Sequence, residues 1–328
     1  MPRHPQDIAG NIRVTLTPGR AHIGAVEIVS TRPLEPARIF EGRTVDAMTA
    51  AIGRVFSLCG TAQTVAALDA AEAALGCPPD RAVAAARSAA RQAEMLTQIV
   101  TRLALHWRRV LGLPLAPDAV RAALAAEQAI SAELLGEAWR RPGAGVAGAV
   151  RAGMVAQIDV TALVAPLAEA LRARGLEAYG ALPDGAAPEA GVLAQYWQSA
   201  PVAAARADHG AGLAARLAAA EAALRALPAG IADALAICRP ATARAMARPS
   251  GEGAATVETA RGPLTHEVEI RDLRVTRCRT TAPTERNFAP GGPVAAGLQG
   301  APLDLLAAEL HILAIDPCVA ASVDLAPA

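Results

Sequence analysis

From Asn11 to Ser30 apolar side chains alternate with polar ones. Ile12, Val14 and Leu16 fall on one face, Pro18-Gly19 forms a turn, and Ile23, Val26 and Ile28 follow. A period of two on both sides of a Pro-Gly turn predicts a β-hairpin over residues 11–30. After Gly42 the apolar spacing lengthens to three and four, the helical repeat. Helices are expected over 46–75, interrupted near Cys59-Gly60, and over 79–113, which Pro78-Pro79-Asp80 opens and Gly112 with Pro114 closes. Further helices are expected over 117–140, 160–174, 203–227 and 231–235, with a glycine-rich joint at 142–148. Beyond Pro249-Ser250-Gly251, Val257, Val268, Ile270, Leu273 and Val275 suggest short strands. The uncharged stretch 287–303 is too rich in Gly and Pro to read as helix, and 303–315 is a final helix running into Asp316-Pro317-Cys318. No motif stands out over 145–200.

The composition fits this pattern. Hydrophobic residues make up 53% of 328 positions but aromatic ones only 2%, so the core has to be built from Ala, Leu and Val. Every basic residue is Arg, and 31 basic against 31 acidic residues leave no net charge. A general nucleic-acid binder would need a basic surface. The first ten residues carry no apolar signal-type core, and no apolar run is long and regular enough to cross a bilayer, so a soluble cytoplasmic protein is expected. Five dispersed cysteines (Cys59, Cys77, Cys238, Cys278, Cys318) offer neither a disulfide framework nor zinc-knuckle spacing. The expected fold class is mainly α: one domain over 1–328, with the hairpin at 11–30, a helical body at 44–248 and a C-terminal β/helix segment at 254–328.

Three segments combine residues that carry chemistry. Cys59 lies in Arg54-Val55-Phe56-Ser57-Leu58-Cys59-Gly60-Thr61-Ala62-Gln63, and Cys318 in Asp316-Pro317-Cys318-Val319-Ala320-Ala321. Arg261 and His266 lie in Glu258-Thr259-Ala260-Arg261-Gly262-Pro263-Leu264-Thr265-His266. Taken singly, each cysteine reads as a small buried hydrophobe and the arginine as a solvated strand entrance. Cys77, Cys238 and Cys278 read as core or surface thiols, and the histidines other than His266 as packing or solvated groups.

Together the segments resemble the large subunit of nickel–iron hydrogenases. That family has an early Arg-Ile-Glu-Gly-His, then Arg-x-Cys-Gly-x-Cys-Pro-x-x-His, Ala-Pro-Arg-Gly-x-Leu-x-His, Pro-Thr-x-Trp-Asn and a terminal Asp-Pro-Cys-x-x-Cys-x-x-His. Ile8 and Gly10 fit the first motif; Arg54, Val55 and Cys59 the second; Arg261, Gly262, Leu264 and His266 the third. Pro283, Thr284, Asn287 and Pro290 fit the fourth, and Asp316, Pro317 and Cys318 open the last. Phe56 and Ala321 stand where the family has its other two thiolates, Ala9 replaces the proton-transfer glutamate, and Gln63 and Asp324 replace motif histidines. Four soft thiolates hold nickel in such sites, and two cannot. The single-cysteine phrase Phe56-Ser57-Leu58-Cys59 is similar to the HupK/HoxV-type hydrogenase maturation proteins, degenerate relatives of the large subunit.

The resemblance implies a reduced large-subunit fold, a helical bundle with small β elements near the N- and C-terminal ends. It implies a non-catalytic accessory role: a scaffold or carrier for the iron–carbonyl–cyanide group, Fe(CN)2(CO), bound transiently and without nickel. Cys59 and Cys318 would be the metal ligands, Arg261 would donate to the cyanides, and Asp316 would orient Arg261. Cys318 matches a terminal nickel ligand in the catalytic subunits, so the iron would sit differently here. The implied partners are other maturation factors and the hydrogenase large subunit. The alternative reading is a degenerate, metal-free large subunit that serves as a structural partner of a small subunit.

Overall fold

The computed structural model describes residues 10–33, 35–183 and 188–327. The first strands form as the alternation predicts: β1 (Asn11–Pro18) and β2 (Ile23–Ser30) pair antiparallel, and Ile12, Val14, Leu16 and Ile23 are fully buried. A strand absent from the sequence expectation completes this sheet. The segment Ala320–Leu325, β6 below, lies parallel to β1 with Asn11 opposite Ala320 and Leu16 opposite Leu325, giving the order β2-β1-β6. Ile8 and Ala9, the expected first-motif positions, lie outside the described residues.

The interruption expected near Cys59-Gly60 is a sharp corner. Helix α1 (Val45–Val55) is capped by the Thr44 hydroxyl, and helix α2 (Gly60–Leu75) leaves it at 92° after the 3-10 turn Ser57–Cys59. Glycine makes the corner possible: a Cβ on Gly53 or on Gly60 would run into the other's carbonyl oxygen. Helix α3 (Arg81–Thr101) is capped by Asp80, which accepts from the Val83 N–H at 2.9 Å. It continues through a π-turn, Arg102–Trp107, to Leu111 and stops at Gly112 in the left-handed region. Helix α4 (Pro117–Ala129) also runs into a π-turn, Ile130–Leu135.

Helices α5 (Val160–Ala173), α6 (Ala200–His209) and α7 (Leu213–Ile237) complete the body, and α7 packs along α3. The break expected between 227 and 231 does not occur: α7 passes through Pro228, and the chain breaks at Gly210–Gly212 instead. Packing explains this, because Leu224, Leu227, Ile231 and Leu235 on both sides of the proline are buried in one core. The expected short strands are longer: β3 (Gly251–Thr259), β4 (Gly262–Arg271) and β5 (Arg274–Thr281) form an antiparallel sheet against α2. Two short helices, α8 (Pro283–Asn287) and α9 (Pro293–Leu298), follow, the second inside the stretch expected to be irregular. Helix α10 (Leu305–Ile315) then leads to β6. The β elements lie in the N-terminal and C-terminal parts of the chain, as expected. One sheet joins the N-terminal and C-terminal strands, and the other covers α2. Among the described residues no single helix is long and apolar enough to cross a membrane.

Where α3 meets α2, apolar packing gives way to buried charge. Arg87 donates to both carboxylate oxygens of Glu72 (2.8 and 2.7 Å) and to Asp69 (2.8 Å). Glu72 also accepts from the Gly143 N–H at 2.7 Å, which fastens the glycine-rich joint to the two helices. Removing one partner leaves an uncompensated interior charge, whereas removing both leaves an apolar gap. Arg87→Met is expected to lower unfolding free energy by about 3–5 kcal/mol, and Arg87→Met with Glu72→Met by clearly less. Urea denaturation of the two variants checks the difference.

Candidate functional site

Cys59 occupies the N-cap position of α2, immediately after the 92° corner, and is buried. Cys318 follows α10 by three residues, because Asp316 adopts a left-handed conformation (φ 63°) and turns the chain away from the helix axis. Its N–H donates to the Thr284 hydroxyl at 3.2 Å. Arg261 sits in the tight β3–β4 turn, where its carbonyl accepts from Asn287 Nδ2 at 3.5 Å. Thr284 and Asn287, both on α8, thus hold the backbone of Cys318 and of Arg261.

Arg261 is 6% exposed, and each of its three guanidinium nitrogens has one partner. Nη2 meets Asp316 Oδ2 at 3.1 Å, Nε donates to the Asp316 carbonyl at 3.1 Å, and Nη1 donates to Gln98 Oε1 at 2.9 Å. The guanidinium lies within electrostatic range of both the Cys59 and Cys318 thiols. Cys59 also feels Cys318. Through Arg261 the fold links Asp316, two residues before Cys318, with Gln98, which holds the Leu58 carbonyl next to Cys59. Phe56 stands half-buried at the end of α1 and Ala321 is exposed on β6, so neither family position supplies a donor. Among the described residues no three His, Cys, Asp or Glu side chains come close enough to hold a metal ion by themselves.

Burial pushes the Cys59 thiol up to about 12, against the opposing pull of Arg261. Gln63, one turn along α2, donates from Nε2 to the Cys59 sulfur at 3.6 Å. Gln63 Oε1 stands 2.6 Å from His266 Nε2, which must carry the hydrogen, and His266 Nδ1 then accepts from the Thr280 hydroxyl at 3.1 Å. Burial lowers His266 to about 4, so the imidazole is neutral at pH 7. A directed chain of donors thus runs from β5 through β4 to the sulfur. Cys77, Cys278 and Cys238 take no part: the first two are buried elsewhere, and the Cys238 thiol donates to the Ala234 carbonyl.

Sequence reasoning missed the residues that α3 contributes. Glu94, Gln98 and Arg102 are spaced by four, so they share one face. Glu94 accepts from the Thr61 N–H at 2.6 Å and the Ala62 N–H at 3.0 Å, at the start of α2. Gln98 donates to the Leu58 carbonyl at 2.6 Å while accepting from Arg261. Arg102 reaches Asp316 Oδ2 at 3.5 Å and the Ala314 carbonyl at 3.4 Å. A polar stripe at helical spacing usually faces solvent. The signal that would have marked this one is its continuity with Arg87 and Arg91 along an alanine-rich helix.

Comparison with known proteins decides the family. The chain is 30% identical to the hydrogenase expression/formation protein HupK of Rhizobium leguminosarum bv. viciae, over 95% of both chains. The chain belongs to the HupK family. It is also 30% identical to the hydrogenase expression/formation protein HupV of Azotobacter chroococcum, covering 95% of this chain and 98% of that one. No family model matches. Among solved structures, the HupK-family chain superposes on the Ni-Fe-Se hydrogenase of Desulfovibrio vulgaris Hildenborough with a TM-score of 0.71 at 16% identity, covering 92% and 95% of the two chains. The corresponding hydrogenase of Desulfomicrobium baculatum gives 0.67 at 14%, again covering 92% and 95%. The fold is that of the hydrogenase large subunit.

Glu94 provides a measurable handle on this corner. Burial raises its carboxyl to about 7, the two backbone N–H donors opposing. The folded protein therefore holds this proton more tightly than the unfolded chain does. The resulting stabilisation is complete below the unfolded carboxyl pKa and is lost as pH rises through 7. Relative to the parent, Glu94→Gln is expected to gain on the order of 3 kcal/mol between pH 4 and pH 8. Paired urea titrations at the two pH values measure the difference, and parallel curves would refute it.

Proposed function

We propose that this HupK-family chain is a non-catalytic accessory protein of nickel–iron hydrogenase maturation. It carries the iron–carbonyl–cyanide group, Fe(CN)2(CO), on Cys59 and Cys318 before the group passes to the hydrogenase large subunit. The reading rests on one observation above all: buried Arg261 is held by Asp316, two residues before Cys318, and by Gln98, which also holds the Leu58 carbonyl beside Cys59. Among the described residues no cluster of three metal-binding side chains stands there. A bare metal ion needs about four donors from its protein. An iron that already carries three diatomic ligands needs fewer, and two thiolates from different segments suit it. The relatives' names, hydrogenase expression/formation proteins, support the maturation role.

Each residue then has a task. Cys59 is a thiol at neutral pH, so loading iron displaces its proton, and the donor from Gln63 and the charge of Arg261 ease that loss. The planar guanidinium of Arg261 presents N–H groups to cyanide nitrogens, and Asp316 fixes its plane from the far side. Nickel has no place in this scheme, since Phe56 and Ala321 replace two of the thiolates it would need. The carrier works in the cytoplasm with other maturation factors as partners.

Protein isolated anaerobically from cells that make the cofactor is expected to contain iron without nickel and to show infrared bands from CO and CN. Cys59→Ala and Cys318→Ala should each abolish the iron and the bands and slow hydrogenase maturation equally. Their stability should fall by only about 1 kcal/mol. Cys77→Ala and Cys278→Ala should retain both iron and maturation. Iron-free protein whose cysteine variants mature hydrogenase as well as the parent would favour a metal-free structural partner instead.

A further inference from the structure

Two buried guanidiniums share one carboxylate behind the site. Arg261 and Arg102 both approach the same Asp316 oxygen, Oδ2, at 3.1 and 3.5 Å. Arg102 is 4% exposed, and its contacts, Asp316 and the Ala314 carbonyl, are both long. The other acids nearby are committed. Glu189 is clamped by Arg216 at 2.6 and 3.1 Å, a self-balanced pair, and Glu94 is turned toward the N–H groups of α2. A small cavity of about 10 Å³, room for one water, separates Arg102 from the Arg216–Glu189 pair. Neither arginine can shed its charge by losing a proton. Arg102 and Arg261 thus share the single carboxylate of Asp316, and Glu94, which burial raises to about 7, offsets their charge only in part at neutral pH. The positive surplus lies in a region screened from water, and such an excess is costly without an anion.

We infer that Arg102 is a positioning residue that fits the site to a small anionic guest of the cyanide or azide class. By drawing on Asp316 from behind, Arg102 prevents that carboxylate from neutralising Arg261. Arg261 then faces Cys59 and Cys318 as a net cation. The π-turn that begins at Arg102 is the local device, since it reshapes the helix where the side chain must turn toward Asp316. The inference takes its location from the function proposed above but does not depend on iron. A free anion and a metal-bound cyanide would meet the same charge.

The test uses iron-free, reduced protein and azide, a linear anion that stays ionised at neutral pH. Melting temperature is followed against azide concentration, with chloride at matched ionic strength as the reference. The parent is expected to show a saturable rise with azide. Arg102→Met lets Asp316 cancel Arg261, and apparent affinity should fall by roughly tenfold or more. Arg102→Lys, which keeps the charge and loses the planar fork, should keep most of it. The decisive variant combines Arg102→Met with Asp316→Asn, which restores the surplus charge, and Asn tolerates the left-handed backbone at 316. Charge-setting predicts that this double variant recovers azide binding, and a purely structural role for Arg102 predicts that it does not. Equal azide affinity in the parent and Arg102→Met, a response no larger than that to chloride, or no recovery in the double variant would overturn the inference. Should Arg102→Met fail to fold, Arg102→Lys against the double variant decides the same question. Azide binding that persists in a chain found to carry no iron would count against the carrier reading alone. Iron retained by a chain indifferent to azide would count against this inference alone.

Discussion

The buried polar seam along one face of α3 is the interaction on which the rest of the molecule depends. Arg87, Arg91, Glu94, Gln98 and Arg102 follow one another at three- and four-residue steps. Each reaches a different part of the chain: Glu72 on α2, the Glu258 carbonyl on β3, the first N–H groups of α2, the Leu58 carbonyl with Arg261, and Asp316 after α10. A purely apolar interface of Ala and Leu would be tolerant of sliding, because small smooth side chains fix register weakly. Directed hydrogen bonds to carbonyls and N–H groups do fix it, and they place the corner at Cys59 opposite the turn at Cys318.

How much of this was legible in the sequence follows from which forces act locally. The β1–β2 hairpin, the stop at Gly112 and the break beside Cys59 could be read because periodicity, turn residues and glycine spacing impose them within a few positions. The course of α7 through Pro228 could not, since burial of leucines on both sides outweighs the proline's local penalty. Nor was β6 read: Ala321, Val323 and Leu325 alternate with Ser322 and Asp324, but the run is short and its pairing depends on β1, far away in the sequence. At the site, Cys59, Cys318, Arg261 and Asp316 were legible by resemblance of their flanking motifs. Glu94, Gln98 and Arg102 were not, because charge at helical spacing looks alike whether it faces water or a partner element.

The site also shows how a degenerate motif can keep its architecture. The backbone of Cys318 is fixed by Thr284, that of Arg261 by Asn287, and the position of Cys59 by the contact of Gly53 with Gly60. None of these restraints involves the positions now occupied by Phe56 and Ala321. The restraints on Cys59, Cys318 and Arg261 are thus independent of the side chains at 56 and 321. The Gln63–His266–Thr280 chain is equally independent of those positions and keeps one sulfur supplied with a donor.

The parallel pairing of β6 with β1 bears on the order of events during synthesis. Cys59 and Cys318 stand about 260 residues apart, and the strand that closes the first sheet comes after the second cysteine. Helices α1 and α2, and α3 and α4, pack against each other, but α2 also needs β3 and β4 and α3 needs α7, so their faces are completed only by later segments. The approach of Cys318 to Arg261 cannot precede them, because Asp316, which Arg261 meets, and β6 both follow α10. The parallel pairing of β6 with β1 thus ties the segment that carries Cys318 to a strand about 300 residues earlier in the chain.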